Sequence, residues 1–131
     1  FKIVKEAMRR VANGERGTAR SLKIPGVQMA GKTGTAQVMS FSADQIYASC
    51  ESRPIHMRHH GWYVAWAPWD KPEITVAALA QHSFHGNPGA APIVRDVIEA
   101  YFKKHHPEII EQGLKMGIKR VTEKPTVIDG E

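Results

Sequence analysis

One lysine, Lys32, sits inside two overlapping patterns that demand different chemistry; the segment Gly26 to Gln37 reads Gly-Val-Gln-Met-Ala-Gly-Lys-Thr-Gly-Thr-Ala-Gln. Gly26 through Thr33 fits G-x-x-x-x-G-K-[ST], in which backbone N–H groups and a lysine surround phosphates at a helix N-terminus. That chemistry needs a helix, yet Gly34, Thr35, Val38, Ser40 and Ser42 follow, and these residues form helices poorly. Lys23-Ile24-Pro25 precedes the pattern in place of a buried apolar strand, and the later apolar run from Ile74 ends at Gln81 without an aspartate for Mg²⁺. Phosphate-loop nucleotide binding therefore stands as the alternative reading. Taken instead as an edge strand, Lys32-Thr33-Gly34-Thr35 sets a cation beside two hydroxyls. If a local twist turns all three into one cleft, they form a receptor for a carboxylate. Gly34 lets a substrate backbone approach closely. A free N–H on such an edge can stabilise the oxyanion of a tetrahedral intermediate, a donor worth on the order of 10²–10³ in rate.

Other clusters carry weaker signals. Cys50, His56, His59 and His60 could be drawn as a zinc site, but the spacing follows no standard finger and paired cysteines are lacking, so no metal is assigned. A single cysteine permits no internal disulfide. Trp62, Tyr63 and Trp66 lie in apolar runs and are expected in core or strand-face packing, with Trp69 partly exposed in a turn. The formal charge of +5 admits an anionic partner. The basic residues are nevertheless scattered among apolar and acidic positions, which argues against a nucleic-acid-binding arm. The longest uncharged stretch, Ile74 to Val94, is interrupted by Gln81, His82, His85, Gly86, Asn87, Pro88 and Gly89 and does not read as a membrane span.

The elements that must position Lys32 are legible in outline. With 131 residues there is room for one modest domain. Phe1, Val4, Ala7, Met8, Val11 and Ala12 recur at helical spacing, and Gly14 stops the helix. Because the sequence opens inside that stripe, a fragment or processed product is expected. From Val27 to Val38 the pattern is short, Thr-rich and broken by glycines, which predicts a strand. Residues 39 to 59 lack periodicity and read as a long connection. Gly61–Ala67 and Ile74–Ala80, separated by the turn-rich Pro68-Trp69-Asp70-Lys71-Pro72, predict two antiparallel strands. Pro92 suits a first helical turn, followed by the apolar stripe Ile93, Val94, Val97, Ile98, Tyr101 and Phe102. Asp96 and Glu99 early, and Lys103 and Lys104 late, match the helix dipole. The tail from 107 to 131 can hold a short helix near Ile109 to Met116, with its last ten residues disordered. The fold class expected is α/β in the α+β sense, a three-strand antiparallel meander flanked by an N-terminal and a C-terminal helix.

Lys-Thr-Gly is also one of the short signatures of serine acyl-transferases that react with penicillin. Ala30-Gly31-Lys32-Thr33-Gly34-Thr35-Ala36-Gln37-Val38 closely resembles the third motif of class B penicillin-binding proteins. Val11-Ala12-Asn13-Gly14 and Gly17-Thr18-Ala19 resemble that family's helix end and the loop before the strand. Ala65-Trp66-Ala67-Pro68 with Pro72-Glu73-Ile74 is similar to its strand pair, with Trp66 where phenylalanine is common, and Gly86 to Pro92 is similar to the loop entering its last helix. The resemblance covers about residues 1–106 in order and is strongest to the penicillin-binding protein 2 type.

This resemblance implies part of a serine transpeptidase (β-lactamase-like) domain over residues 1–106, whose parent cross-links peptidoglycan stem peptides, binds β-lactams and uses no cofactor. By motif match, Lys32 organises charge in the cleft, Thr33 and Thr35 bind the terminal carboxylate, Gly34 admits the substrate, and the Thr35 N–H is an oxyanion donor. His82 and His85 fall in the loop the family places beside the cleft, either as exposed polar residues or as pocket lining. Of Ser21, Ser40, Ser42, Ser49, Ser52 and Ser83, none has lysine three residues on or asparagine two residues on, so the family's nucleophile and its helper are expected outside this chain. The chain alone is then inactive, and its uncovered surfaces favour self-association. Family resemblance further implies a cell-elongation glycosyltransferase complex as partner and the periplasmic face of the bacterial inner membrane as location, with the anchor outside this chain.

Overall fold

The structure, a computed structural model, describes residues 1–40 and 52–117. It opens with helix α1 (Lys2–Asn13). Glu6 accepts from Arg9 at 2.7 Å and from Arg10 at 3.0 Å, one helical turn on. Those hydrogen bonds hold its carboxyl down at about 2. The helix stops at Gly14, whose N–H donates to the Arg10 carbonyl at 2.9 Å. A Cβ there would come within 2.6 Å of that carbonyl, so the stop calls for glycine.

Three strands follow: β1 (Ala30–Ala36), β2 (His60–Ala67) and β3 (Ile74–Ala80). They pair antiparallel in the order β1-β2-β3, a meander as expected. β1 is shorter than the expected span from Val27. Gly26, at φ +74, turns the chain so that Val27 bridges back to Ile24. Within residues 39–59 the described part holds a short 3-10 turn, Ile55–Met57.

Alternation of period two decides the two faces of the sheet. Tyr63, Ala65 and Ala67 of β2 are wholly buried, in one core with Ala12 of α1, Met29, and Val94, Ile98 and Phe102 of the helix after β3. Both flanking helices thus lie on that face. The opposite face carries the cross-strand pairs Trp62 with Leu79 and Val64 with Ala77. Trp62 is 44% exposed, so it does not pack as its apolar run predicts. Trp66 is half-buried, its indole N–H donating to the Trp69 carbonyl at 3.1 Å, and Trp69 lies under the Arg9 guanidinium.

Helix α2 (Ala90–His105) buries Val94, Ile98 and Phe102 completely. At spacing i, i+4, i+8, each is worth about 1.5–3 kcal/mol of burial. The helix is rotated from the expected stripe, for Ile93 and Val97 are exposed on its flank. It also starts two residues before Pro92, which leaves Asp96 and Glu99 beyond the first turn, while Lys103 and Lys104 do close the last one. Helix α3 (Pro107–Lys115) then folds back onto the Pro25–Gly26 turn, where Gly113 packs against backbone. His106, at the junction of the two helices, bonds Glu73 of the β2–β3 turn at 2.7 Å.

Candidate active site

Thr33 and Thr35 favour extended backbone because their branched Cβ atoms fit a pleated surface, and the glycines of β1, Gly31 and Gly34, let the neighbouring strand approach. Gly31 is the clearest case. A Cβ there would meet the Tyr63 hydroxyl at 2.6 Å and the Val64 carbonyl at 2.8 Å. The register sets Lys32 opposite Val64, Thr33 opposite Tyr63 and Thr35 opposite Gly61.

Lys32 therefore leaves the strand on the opposite face from Thr33 and Thr35. The lysine stem is long enough to bend back over the strand. Its ammonium folds round and donates to the Thr33 carbonyl at 2.7 Å. A strand residue's N–H and C=O point to the same edge, and edges alternate along the chain. The Thr33 carbonyl reached by the ammonium thus faces away from β2, and the Thr35 N–H shares that edge. No strand among the described residues pairs there. Lys32 forms no ion pair, and neither threonine hydroxyl has a hydrogen-bond partner, among the described residues. The Lys32 ammonium at the Thr33 carbonyl and the Thr35 N–H thus share one edge of β1, with the Thr33 and Thr35 side chains on one adjoining face, groups of the kind that receive a carboxylate and an oxyanion.

The loop of residues 81–89 lies against this end of the sheet because glycines admit it. A side chain at Gly61, opposite Thr35, would run into the Ser83 hydroxyl and the His85 carbonyl. One at Gly86 would overlap the Trp62 carbonyl and come within 2.8 Å of the Gly34 carbonyl. His82 and His85 thus have different positions. The His82 ring is half-buried and turned toward the segment entering β2, with Nδ1 bonded to the Arg58 carbonyl at 3.1 Å. The His85 ring is exposed. His59, beside them, has its pKa lowered by burial first and then by the positive charge of Arg53 and His85. Gly61, Gly86 and His60 are the contributors that sequence reading missed. A glycine opposite Thr35 in the strand register was the available signal.

The phosphate-loop alternative does not survive the geometry. Lys32 and Thr33 lie in the middle of β1, where a phosphate loop requires the first turn of a helix. Among the described residues no three His, Cys, Asp or Glu side chains converge as a metal would need, and Cys50 lies outside them. No described helix is long and apolar enough to cross a membrane. Two surface depressions among the described residues are lined by α1 and the turn after it, with no residue from β1.

Comparison with known proteins places this geometry. The family model described as penicillin binding protein transpeptidase domain matches residues 1–99. Peptidoglycan D,D-transpeptidase MrdA of Haemophilus influenzae is 30% identical over 110 residues, 83% of this chain and 17% of that protein. Peptidoglycan D,D-transpeptidase PbpA of Mycobacterium tuberculosis is 43% identical over 82 residues, 59% of this chain and 14% of that protein. Pseudomonas aeruginosa PBP2, solved in complex with WCK 5153, superposes with a TM-score of 0.57 at 30% identity, covering 78% of this chain and 19% of that one. The chain thus spans less than a fifth of each of these three relatives.

Proposed function

Because the chain belongs to the penicillin binding protein transpeptidase domain family, we propose that it is the C-terminal part of a peptidoglycan D,D-transpeptidase and forms one wall of its active site. The observation that carries this reading is the edge of β1 that no described strand pairs, where the Lys32 ammonium, bonded only to the Thr33 carbonyl among the described residues, shares the edge with the Thr35 N–H beside Thr33 and Thr35. In the complete enzyme a serine from outside this chain attacks the penultimate D-Ala carbonyl of a stem peptide. The terminal D-Ala leaves, and the acyl group passes to an amine of a second peptide. Thr33 and Thr35 hold the terminal carboxylate, Lys32 balances its charge, Gly34 keeps the approach open, and the Thr35 N–H stabilises the oxyanion. A β-lactam enters by the same contacts. Of the two loop histidines we take His85 to touch the substrate, a reading supported by its exposure.

The nucleophile and its activating lysine then belong to the remainder of the domain, and this chain alone is inactive. We assign residues 1–106 to the transpeptidase domain and 107–131 to a C-terminal extension that opens with α3. The exposed apolar face of Trp62, Val64 and Leu79 is where the remainder packs, and in its absence the chain self-associates. The proposed setting is the periplasmic face of the inner membrane, beside a cell-elongation glycosyltransferase.

Intact mass after incubation with a penicillin tests this, on the chain and on the complete gene product. An adduct on the complete protein only, lost in Lys32→Ala with the thermal melt unchanged, is the expected result. An adduct on the isolated chain, or one unaffected by Lys32→Ala, would overturn it.

A further inference from the structure

A histidine pair ties the loop beside Thr35 to the segment entering β2, and its hydrogen bonds decide which Nδ1 carries a hydrogen. The His82 main-chain N–H can only donate, and it meets His60 Nδ1 at 3.0 Å. His60 Nδ1 therefore carries a lone pair, and the ring is neutral with its proton on Nε2. The Arg58 carbonyl can only accept, so His82 Nδ1 carries the hydrogen at its 3.1 Å contact. The two rings meet edge to face with centroids 4.7 Å apart. A further bond ties the loop to the same segment, from the Phe84 N–H to the His59 carbonyl at 3.2 Å, and the Arg58 guanidinium lies over the Phe84 ring at 4.6 Å. His82 and Phe84 sit at φ 55 and 69, the left-handed region that non-glycine residues avoid. The loop is thus held in a backbone it would leave if released. What it rests on is the site itself, through Gly61 opposite Thr35 and Gly86 against the Gly34 carbonyl.

We propose that His60 is a positioning residue, a neutral acceptor that latches the loop of residues 81–89 against the Thr35 end of the substrate edge and releases it on protonation. A proton on His60 Nδ1 turns the acceptor into a donor facing the His82 N–H, and the bond is lost. The titratable and charged groups around the pair are Arg53, Arg58 and His59 from the segment entering β2, and His82 and His85 from the loop. β1 faces His60 with Ala36, followed by Gln37. None of these described groups is acidic. The link to catalysis rests on the transpeptidase reading; the latch itself does not.

The test uses the complete transpeptidase and follows two readouts between pH 7.5 and 5.5: the acylation rate with a fluorescent penicillin, and the hydrogen-exchange protection of the His82 amide. His60→Asn keeps an acceptor near the Nδ1 position but cannot take up a proton, and His60→Ala has none. One hydrogen bond corresponds to roughly a fivefold change in the local opening equilibrium. In the wild type, protection and acylation both fall about that much toward pH 5.5, beyond the change in intrinsic exchange. In His60→Asn both stay level, and in His60→Ala both are low at each pH. A His60→Asn profile that falls in parallel with the wild type, or a His60→Ala protein with full His82 protection at pH 7.5, overturns the proposal. Wild-type protein that is never acylated overturns the transpeptidase reading instead, and His82 protection still decides the latch.

Discussion

Tyr63→Phe tests the packing beneath β1. Tyr63 stands opposite Thr33 and is wholly buried, yet its hydroxyl has no hydrogen-bond partner among the described residues. A buried hydroxyl without a partner is unfavourable by about 1–3 kcal/mol on mutational scales. Phenylalanine removes that penalty and loses only the contacts of one oxygen atom, so a net gain of about 1 kcal/mol is expected at pH 7, or about 4 °C in Tm. The pH dependence provides a second handle. Burial pushes the phenol from 10.0 up to about 12. A raised pKa means the native state is fully favoured below the unfolded value and loses ground as pH rises, here between 10 and about 12. At roughly 1.4 kcal/mol per pH unit the loss is about 3 kcal/mol. Tyr63→Phe lacks this group, so urea melts of the two proteins diverge by that amount across the window, whatever the lysines do in common. Gly31→Ala supplies the structural cross-check, since its methyl would meet the same hydroxyl at 2.6 Å. Its expected cost of about 1–3 kcal/mol is partly relieved in the Gly31→Ala/Tyr63→Phe double variant. The remaining close approach to the Val64 carbonyl keeps that relief incomplete. A Tyr63→Phe protein that loses stability at pH 7 and keeps the alkaline transition would refute the reasoning, because the hydroxyl would then have a partner.

Three further outcomes are expected. Gly61→Ala forces a methyl toward the Ser83 hydroxyl at 2.5 Å and displaces the loop. About 2 kcal/mol of stability is lost, together with acylation in the complete enzyme, and unchanged melts would show that the loop is not seated there. Trp62→Lys with Val64→Ser breaks the exposed apolar face. Light scattering should find the wild-type chain self-associated and this variant monomeric, and a compact wild-type monomer counts against the idea. Glu6→Gln removes the carboxylate shared by Arg9 and Arg10. Because its folded-state pKa is depressed from 4.5 to about 2, the wild-type advantage in Tm is level above pH 4.5 and fades only between there and about 2. An advantage still intact at pH 2 would contradict the assignment.

The sequence by itself determined the three strands, the two principal helices and their order, because alternation and helical spacing are local properties that hydrophobic burial then enforces. It also singled out Lys32, Thr33 and Thr35 as candidates, since on a glycine-broken strand they can hardly serve a phosphate-binding helix. Tertiary structure decided what those residues do relative to one another. Period two separates Lys32 from the threonines, and only the pairing of β1 with β2 made one edge free and directed the ammonium to the Thr33 carbonyl. The exposure of Trp62, Ile93 and Val97 was likewise invisible, because an apolar residue is buried only where another surface meets it, and the matched relatives are more than five times the length of this chain's share of them. The histidine pair was hidden for a related reason. His60 and His82 lie 22 residues apart, and nothing local in either segment says that a backbone N–H will find a ring nitrogen; the register of β2 on β3 brings them together.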